Sequence, residues 1–154
     1  SIIYFVMSKQ ILKKNRRAFI KGLFSIVPLK IFYPILLKAE KEINYLLNGP
    51  LAGSFYYTKT KPGKWKKLIQ SHIPILEVKK NSLLVSTLHE MKGYDHYIIK
   101  HIILDKKFNI ISEKIFDPSM ENPVSKHNII GYSDRLYILS ICNKHDTWLE
   151  TIKL

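Results

Sequence analysis

The stretch "HIPILEVKKNSLLVSTL", residues 72–88, holds two apolar, β-branched runs separated by three polar positions. "HIPILEV" (72–78) and "SLLVSTL" (82–88) are of strand length, and Lys79-Lys80-Asn81 is a hairpin-sized gap. The spacing recurs downstream, where "HYIIKHIIL" (96–104) and "FNIISEKIF" (108–116) flank Asp105-Lys106-Lys107. A loop from Asp117-Pro118 to Pro123 precedes "VSKHNII" (124–130), and Gly131-Tyr132-Ser133 marks the next turn. "RLYILSIC" (135–142) and "WLETIKL" (148–154) complete the series. Seven short runs with turns about every ten residues predict an all-β fold, an antiparallel seven-stranded β-sandwich.

Upstream of this series the pattern changes. Asn48-Gly49-Pro50, Gly53-Ser54 and "KPGKWKKLI" supply turns, so 40–64 reads as a linker to a domain at 65–154. Residues 1–39 read as an N-terminal signal or helical segment. Lys13, Lys14, Arg16 and Arg17 form a cationic head before a largely apolar run from Ala18 to Leu37. Arg16-Arg17-Ala18-Phe19-Ile20-Lys21 resembles the twin-arginine export signal, which implies an exported, periplasmic protein released already folded. Met7 is the expected start. Leu37-Lys38-Ala39 is a poor cleavage site, so an uncleaved signal would tether the protein to the membrane. The alternatives are a basic amphipathic helix or a membrane anchor, but Lys21, Pro28, Lys30 and Pro34 interrupt the run.

A chain of 154 residues with 46% hydrophobic and 24% charged residues suits one packed domain. The net charge of +13 raises nucleic acid as a partner. Its distribution argues otherwise: residues 1–55 carry nine Lys/Arg against two acids, and residues 56–154 carry sixteen against ten. No zinc-finger spacing or aromatic-basic signature accompanies the charge, so no nucleic-acid partner is expected.

A single cysteine excludes an internal disulfide, leaving a buried hydrophobe, a nucleophile or a metal ligand. Six histidines accompany it. In a sandwich, strand ends gather at the two poles. His72 opens a strand at the pole where 82–88 ends, His89 and His96 bracket the following loop, and Cys142 closes a strand just before His145. Four imidazoles and one thiolate could therefore converge on one end. Such donors suit iron, copper or zinc rather than calcium or magnesium. Five donors exceed the four of a structural zinc site and leave one position open on an octahedral iron. His101 and His127 lie inside strands and are expected to be structural. Trp148 is expected to pack near the same pole, and Tyr94, Tyr97 and Tyr137 to be core or rim.

Three segments resemble the superoxide reductases, meaning neelaredoxin and the iron domain of desulfoferrodoxin. "SHIPILEV" is similar to that family's first iron-binding strand, "LHEMKGYDHYI" to its second and third histidine loop, and "CNKHDTW" to its closing motif. The resemblance covers about residues 65–154, with "KWKK" as lead-in. It implies an immunoglobulin-like domain holding mononuclear iron through His72, His89, His96 and His145 in a plane, with Cys142 axial and the sixth position open. It further implies one-electron reduction of superoxide to hydrogen peroxide. The family has Pro after the second histidine and Lys before the third, where this chain has Glu90 and Asp95. Lys92 on the same loop takes the attracting role, and Glu90 offers a carboxylate near the open position. Asp146 replaces the family's turn glycine. No second cysteine set is present, so electrons come from a separate, rubredoxin-like donor protein. A homo-oligomer stays open.

Two rival readings share the sandwich. A cupredoxin-like copper carrier would need a methionine soon after His145, and none follows Met120. Four candidate histidines are also too many for it; an exported iron-binding or electron-transfer module would keep the site without turnover, a reading the altered 89–96 loop keeps open.

Overall fold

A computed structural model describes residues 29–154 and their side chains from residue 35 onward. Met7, Arg16, Arg17 and most of the expected export signal lie outside the described residues. The chain divides into two units, Ser1–Lys41 and Glu42–Leu154. A helix, α1, runs over Leu29–Asn48. No described helix is long and apolar enough to cross a membrane.

Seven strands follow: β1 Ile75–Lys79, β2 Ser82–Ser86, β3 Ile98–Leu104, β4 Ile110–Ile115, β5 Val124–Asn128, β6 Arg135–Cys142 and β7 Asp146–Lys153. They form a three-stranded sheet β1-β2-β5 and a four-stranded sheet β4-β3-β6-β7. Every pairing is antiparallel. The seven-stranded sandwich expected from the alternating runs is the observed fold. Leu83, Val85, Ile103, Leu136 and Ile138, each at most 1% exposed, fill the space between the sheets. Burying each such side chain contributes about 1.5–3 kcal/mol.

Two boundaries differ from expectation in ways that matter for the site. His72 is not on a strand: a 3₁₀ segment, Gly63–Leu68, runs into a single helical turn, Ile69–His72, which His72 closes. Pro74 lacks an N–H for the ladder, so β1 begins only at Ile75. His96 likewise precedes β3, held by an isolated bridge to Lys92.

The stretch 40–64, expected to be a linker, carries the end of α1 and then packs into the domain. Tyr57 is 2% exposed and docks on β7, its N–H donating to Thr147 O and its carbonyl accepting from Leu149 N, both at 2.8 Å. The Thr58 hydroxyl donates to Leu47 O at the end of α1, at 2.9 Å. A parallel contact of this kind leaves no periodic trace in sequence.

β3 carries a bulge between Ile98 and Lys100. Strict alternation would send Ile98 and His101 to opposite faces. The extra residue turns both inward, where each is 0% exposed.

Candidate metal centre

Three connections at one pole supply the candidate donors. The helical turn ends on His72; the β2–β3 connection carries His89 and His96; β6 ends on Cys142, and His145 sits in the tight turn into β7. Asp146 makes that turn with φ of 64°, in the left-handed region where asparagine, aspartate and glycine are tolerated. Asn143 pins the turn to the loop opposite: its side-chain carbonyl accepts from Tyr97 N at 3.0 Å and its amide donates to Asp95 O at 3.1 Å.

One ligand atom from each of His72, His89, His96, Cys142 and His145 lies within 4.8 Å of all the others. The four imidazoles form a ring of near-square outline. Neighbouring centroids are 4.4–4.8 Å apart with planes 76–90° to each other, and His72 and His96 face across it at 6.2 Å. His72 Nε2 lies 2.9 Å from His145 Nδ1, which lies 3.0 Å from His96 Nε2, which lies 3.0 Å from His89 Nε2. Cys142 Sγ stands 3.7 Å from both His89 Nε2 and His145 Nδ1.

Hydrogen bonding does not account for this cluster. An imidazole nitrogen offers one in-plane site, a proton or a lone pair, so four nitrogens satisfy at most two well-directed bonds. Three close contacts are present. A cation that accepts all four lone pairs resolves the conflict. Bonds of about 2.1 Å to one ion place adjacent nitrogens about 3.0 Å apart in a square plane and about 3.4 Å apart in a tetrahedron. The observed contacts match the former. The residues present fit one first-row ion with four nitrogen donors and a sulfur.

Local contacts prepare the donors. His72 Nδ1 lies 3.2 Å from Leu68 O and 2.8 Å from Ser71 Oγ, which favours a proton on Nδ1 and a lone pair on the inward Nε2. The Lys144 backbone N–H donates to Cys142 Sγ at 3.5 Å, and the Trp148 indole N–H donates to His145 O at 3.0 Å. Burial, then the neighbouring imidazoles, push His72 down to about 4; burial and His96 push His89 down to about 4. Burial lowers His96 and His145 as well and raises the Cys142 thiol. His72, His89 and Cys142 are buried, whereas His96 and His145 are half-exposed, so the cluster opens to solvent on their side.

No protein-family model matches the chain. No curated protein matches it either. Solved structures do. The superoxide reductase (neelaredoxin) from Ignicoccus hospitalis aligns with a TM-score of 0.55 and 22% identity, over 66% of this chain and 95% of that one. A variant of the same Ignicoccus protein gives 0.57 at 22% identity, over 66% and 94%.

The fold is that of neelaredoxin.

The one-iron superoxide reductase from Giardia intestinalis also aligns, at a TM-score of 0.48 and 20% identity, over 55% of this chain and 99% of that one. On the neelaredoxin-like sandwich, the five sequence-predicted donors come together at one pole. The two loop candidates do not enter the cluster. Lys92 Nζ and Glu90 Oε2 pair with each other at 3.0 Å, with side chains 54% and 74% exposed. Lys144 pairs with Asp95 at 3.1 Å and Lys64 with Asp146 at 3.4 Å, so ion pairs border the neelaredoxin-like pole. His101 and His127 are buried inside the sandwich, 0% and 2% exposed, away from the cluster. Trp148 is 0% exposed and its ring lies tilted by 38° at 5.7 Å from His72, at the expected pole. Tyr137 is buried, and Tyr94 and Tyr97 meet edge-on at 5.8 Å on the rim.

Sequence reasoning missed Trp65, whose ring stands 4.6 Å from His145, and the positioning roles of Ser71 and Asn143. The "KWKK" lead-in was the available signal for Trp65. Asn143, adjacent to the single cysteine, was the signal for the turn.

Proposed function

We propose that this chain is an exported, periplasmic superoxide reductase, taking up one superoxide, one electron and two protons to give hydrogen peroxide. The convergence of four imidazole nitrogens and one thiol sulfur within 4.8 Å carries this reading. His72, His89, His96, His145 and Cys142 would hold a mononuclear iron. Ferrous iron held there would supply the single electron, and a separate electron-donor protein would restore it.

The chain's residues do the rest. His72 and His89, buried and neutral, present lone pairs, that of His72 fixed by the contacts at its Nδ1. The Lys144 N–H directed at Cys142 Sγ draws charge from the sulfur, a lever on the site's reduction potential. The half-exposed edge at His96 and His145 admits a small anion. Lys92 and Lys144 border it and raise the local anion concentration, an effect that falls with ionic strength.

The test is to purify the full chain, load ferrous iron, measure metal per chain, oxidise, record the optical spectrum and follow superoxide loss. The reading expects one iron per chain, a thiolate-to-Fe(III) band at red wavelengths and accelerated superoxide consumption. A strong copper-thiolate band with no iron uptake overturns it. A second reading, an iron-binding module without turnover, draws on the partial neutralisation of Lys92 by Glu90 and of Lys144 by Asp95. Iron with no acceleration of superoxide loss decides for that reading. Export is tested separately: replacing Arg16 and Arg17 by Lys should retain the protein in the cytoplasm.

A further inference from the structure

Between the two sheets runs a chain of six hydrogen-bonding side chains that the chemistry above does not use. Ser140 Oγ lies 2.9 Å from Thr87 Oγ1, which lies 3.0 Å from His101 Nε2. His101 Nδ1 lies 2.7 Å from Ser125 Oγ, Ser125 Oγ 2.7 Å from His127 Nε2, and His127 Nδ1 2.7 Å from Ser112 Oγ. All but Ser112 are buried, at 5% exposure or less.

A neutral imidazole has one donor and one acceptor, and a hydroxyl can donate one proton while accepting another. Every link is therefore satisfied when the donors point the same way along the chain. Only one direction strands no buried donor: Ser140 donates to Thr87, Thr87 to His101 Nε2, His101 Nδ1–H to Ser125, Ser125 to His127 Nε2, and His127 Nδ1–H to Ser112. The Ser112 hydroxyl then faces solvent. Burial keeps both rings neutral, as this ordering requires; it pushes His101 down to about 3 and lowers His127.

The placement of the inner end matters most. Thr87 lies just beyond β2 in one sheet, two residues before His89. Ser140 lies on β6 in the other sheet, two residues before Cys142. Thr87 is also held through its backbone, its N–H donating to Pro123 O at 3.0 Å and its carbonyl accepting from His89 N at 2.7 Å. The sheets make no backbone ladder to each other, so their spacing at this pole depends on side chains.

We propose that the Thr87–Ser140 hydroxyl pair, backed by His101, is an inter-sheet tie that sets the separation of His89 from Cys142, making Thr87 and Ser140 positioning residues for the metal centre. This rests on the metal-site reading above. An inter-sheet tie acts on ligand geometry as an outer-shell partner does, where losses of about 10–100-fold in metal affinity are typical.

The test uses the full chain and Co²⁺, whose thiolate charge-transfer band reports the sulfur directly and needs no superoxide assay. Thr87→Val removes the hydroxyl at nearly constant shape, Thr87→Ser restores it, and Ser112→Ala opens the chain at its far end. Thr87→Val should bind Co²⁺ about tenfold more weakly with a shifted thiolate band. Thr87→Ser should recover both, and Ser112→Ala should leave both at wild-type values. Ser140→Ala, which keeps the Thr87–His101 bond, should move the band the same way and covers the case in which Thr87→Val does not fold. Wild-type affinity and band in Thr87→Val or in folded Ser140→Ala overturn the proposal, even if thermal stability falls. A wild-type chain that takes up neither cobalt nor iron overturns the metal-site reading and this proposal with it.

Discussion

The Trp65 indole N–H donates to Asp146 Oδ2 at 3.0 Å, joining residues 81 positions apart and laying the Trp65 ring against His145. That indole bond, then the Lys64 ammonium, hold the Asp146 carboxyl below its ordinary range. Asp146 also occupies a left-handed conformation, φ 64°. Asp146→Ala and Asp146→Gly both lose the bond to Trp65, and the Ala variant should be less stable than the Gly variant by about 1–2 kcal/mol because its Cβ is held in that conformation. Denaturant titration followed by tryptophan fluorescence separates the two contributions; equal stability of the Ala and Gly variants would sink the backbone half of the argument.

Metal uptake should release one proton near neutral pH. In the metal-free protein burial keeps all four histidines neutral above their lowered values and keeps a proton on the raised Cys142 thiol. Affinity for a divalent ion should rise about tenfold per pH unit between pH 7 and 8 and more steeply in acid, where the histidines compete. Titration calorimetry in two buffers of different ionisation heat counts the protons. Cys142→Ser should abolish both the proton release and the thiolate band, and a persisting band would remove Cys142 from the ligand set.

Acid should destabilise the metal-free domain in a window set partly by His101. Its folded value of about 3 lies below the ordinary 6.5, so the unfolded chain binds the proton more readily. That contribution is complete above pH 6.5 and is lost as pH falls from 6.5 toward 3, by up to about 1.4 kcal/mol per pH unit. His101→Gln should flatten the stability profile by up to one proton between pH 4 and 6. An unchanged slope from chemical denaturation would show that His101 is not the titrating group.

Removing the Tyr57 side chain should cost about 3–5 kcal/mol, as for other buried aromatics. Its ring packs 5.7 Å from Trp148 and 6.5 Å from Trp65. A fragment beginning at residue 65 should show a comparable loss, whereas one beginning at residue 50 should not. Thermal melts of the two fragments and of Tyr57→Ala make the comparison.

Much of the centre was legible because turns punctuate it. His89, His96, Cys142 and His145 flank β-like runs whose ends can share a pole, and the resemblance of "LHEMKGYDHYI" and "CNKHDTW" to the superoxide reductase motifs singles them out as a set. His72 was legible as a donor but not in its setting, because the Ile69–His72 turn is too short for a helical period to register. Tyr57 escaped because a docking contact beside β7 depends on shape rather than pattern. His101 and His127 were expected to be structural, and both are buried between the sheets. Their linkage through Ser125 required the β3 bulge and the register of β5, neither of which a periodic reading contains.

The span between donors bears on when the centre can come into being. His72 and His145 are 73 residues apart, and His89 and Cys142 are 53 apart. Only Cys142 and His145, three positions apart, form a local chelate in a nascent chain. Long loops close late because their entropy is lost before distant contacts compensate for it. Ion capture would thus be a terminal event, and a loaded centre would serve as the molecule's own certificate that both sheets have met.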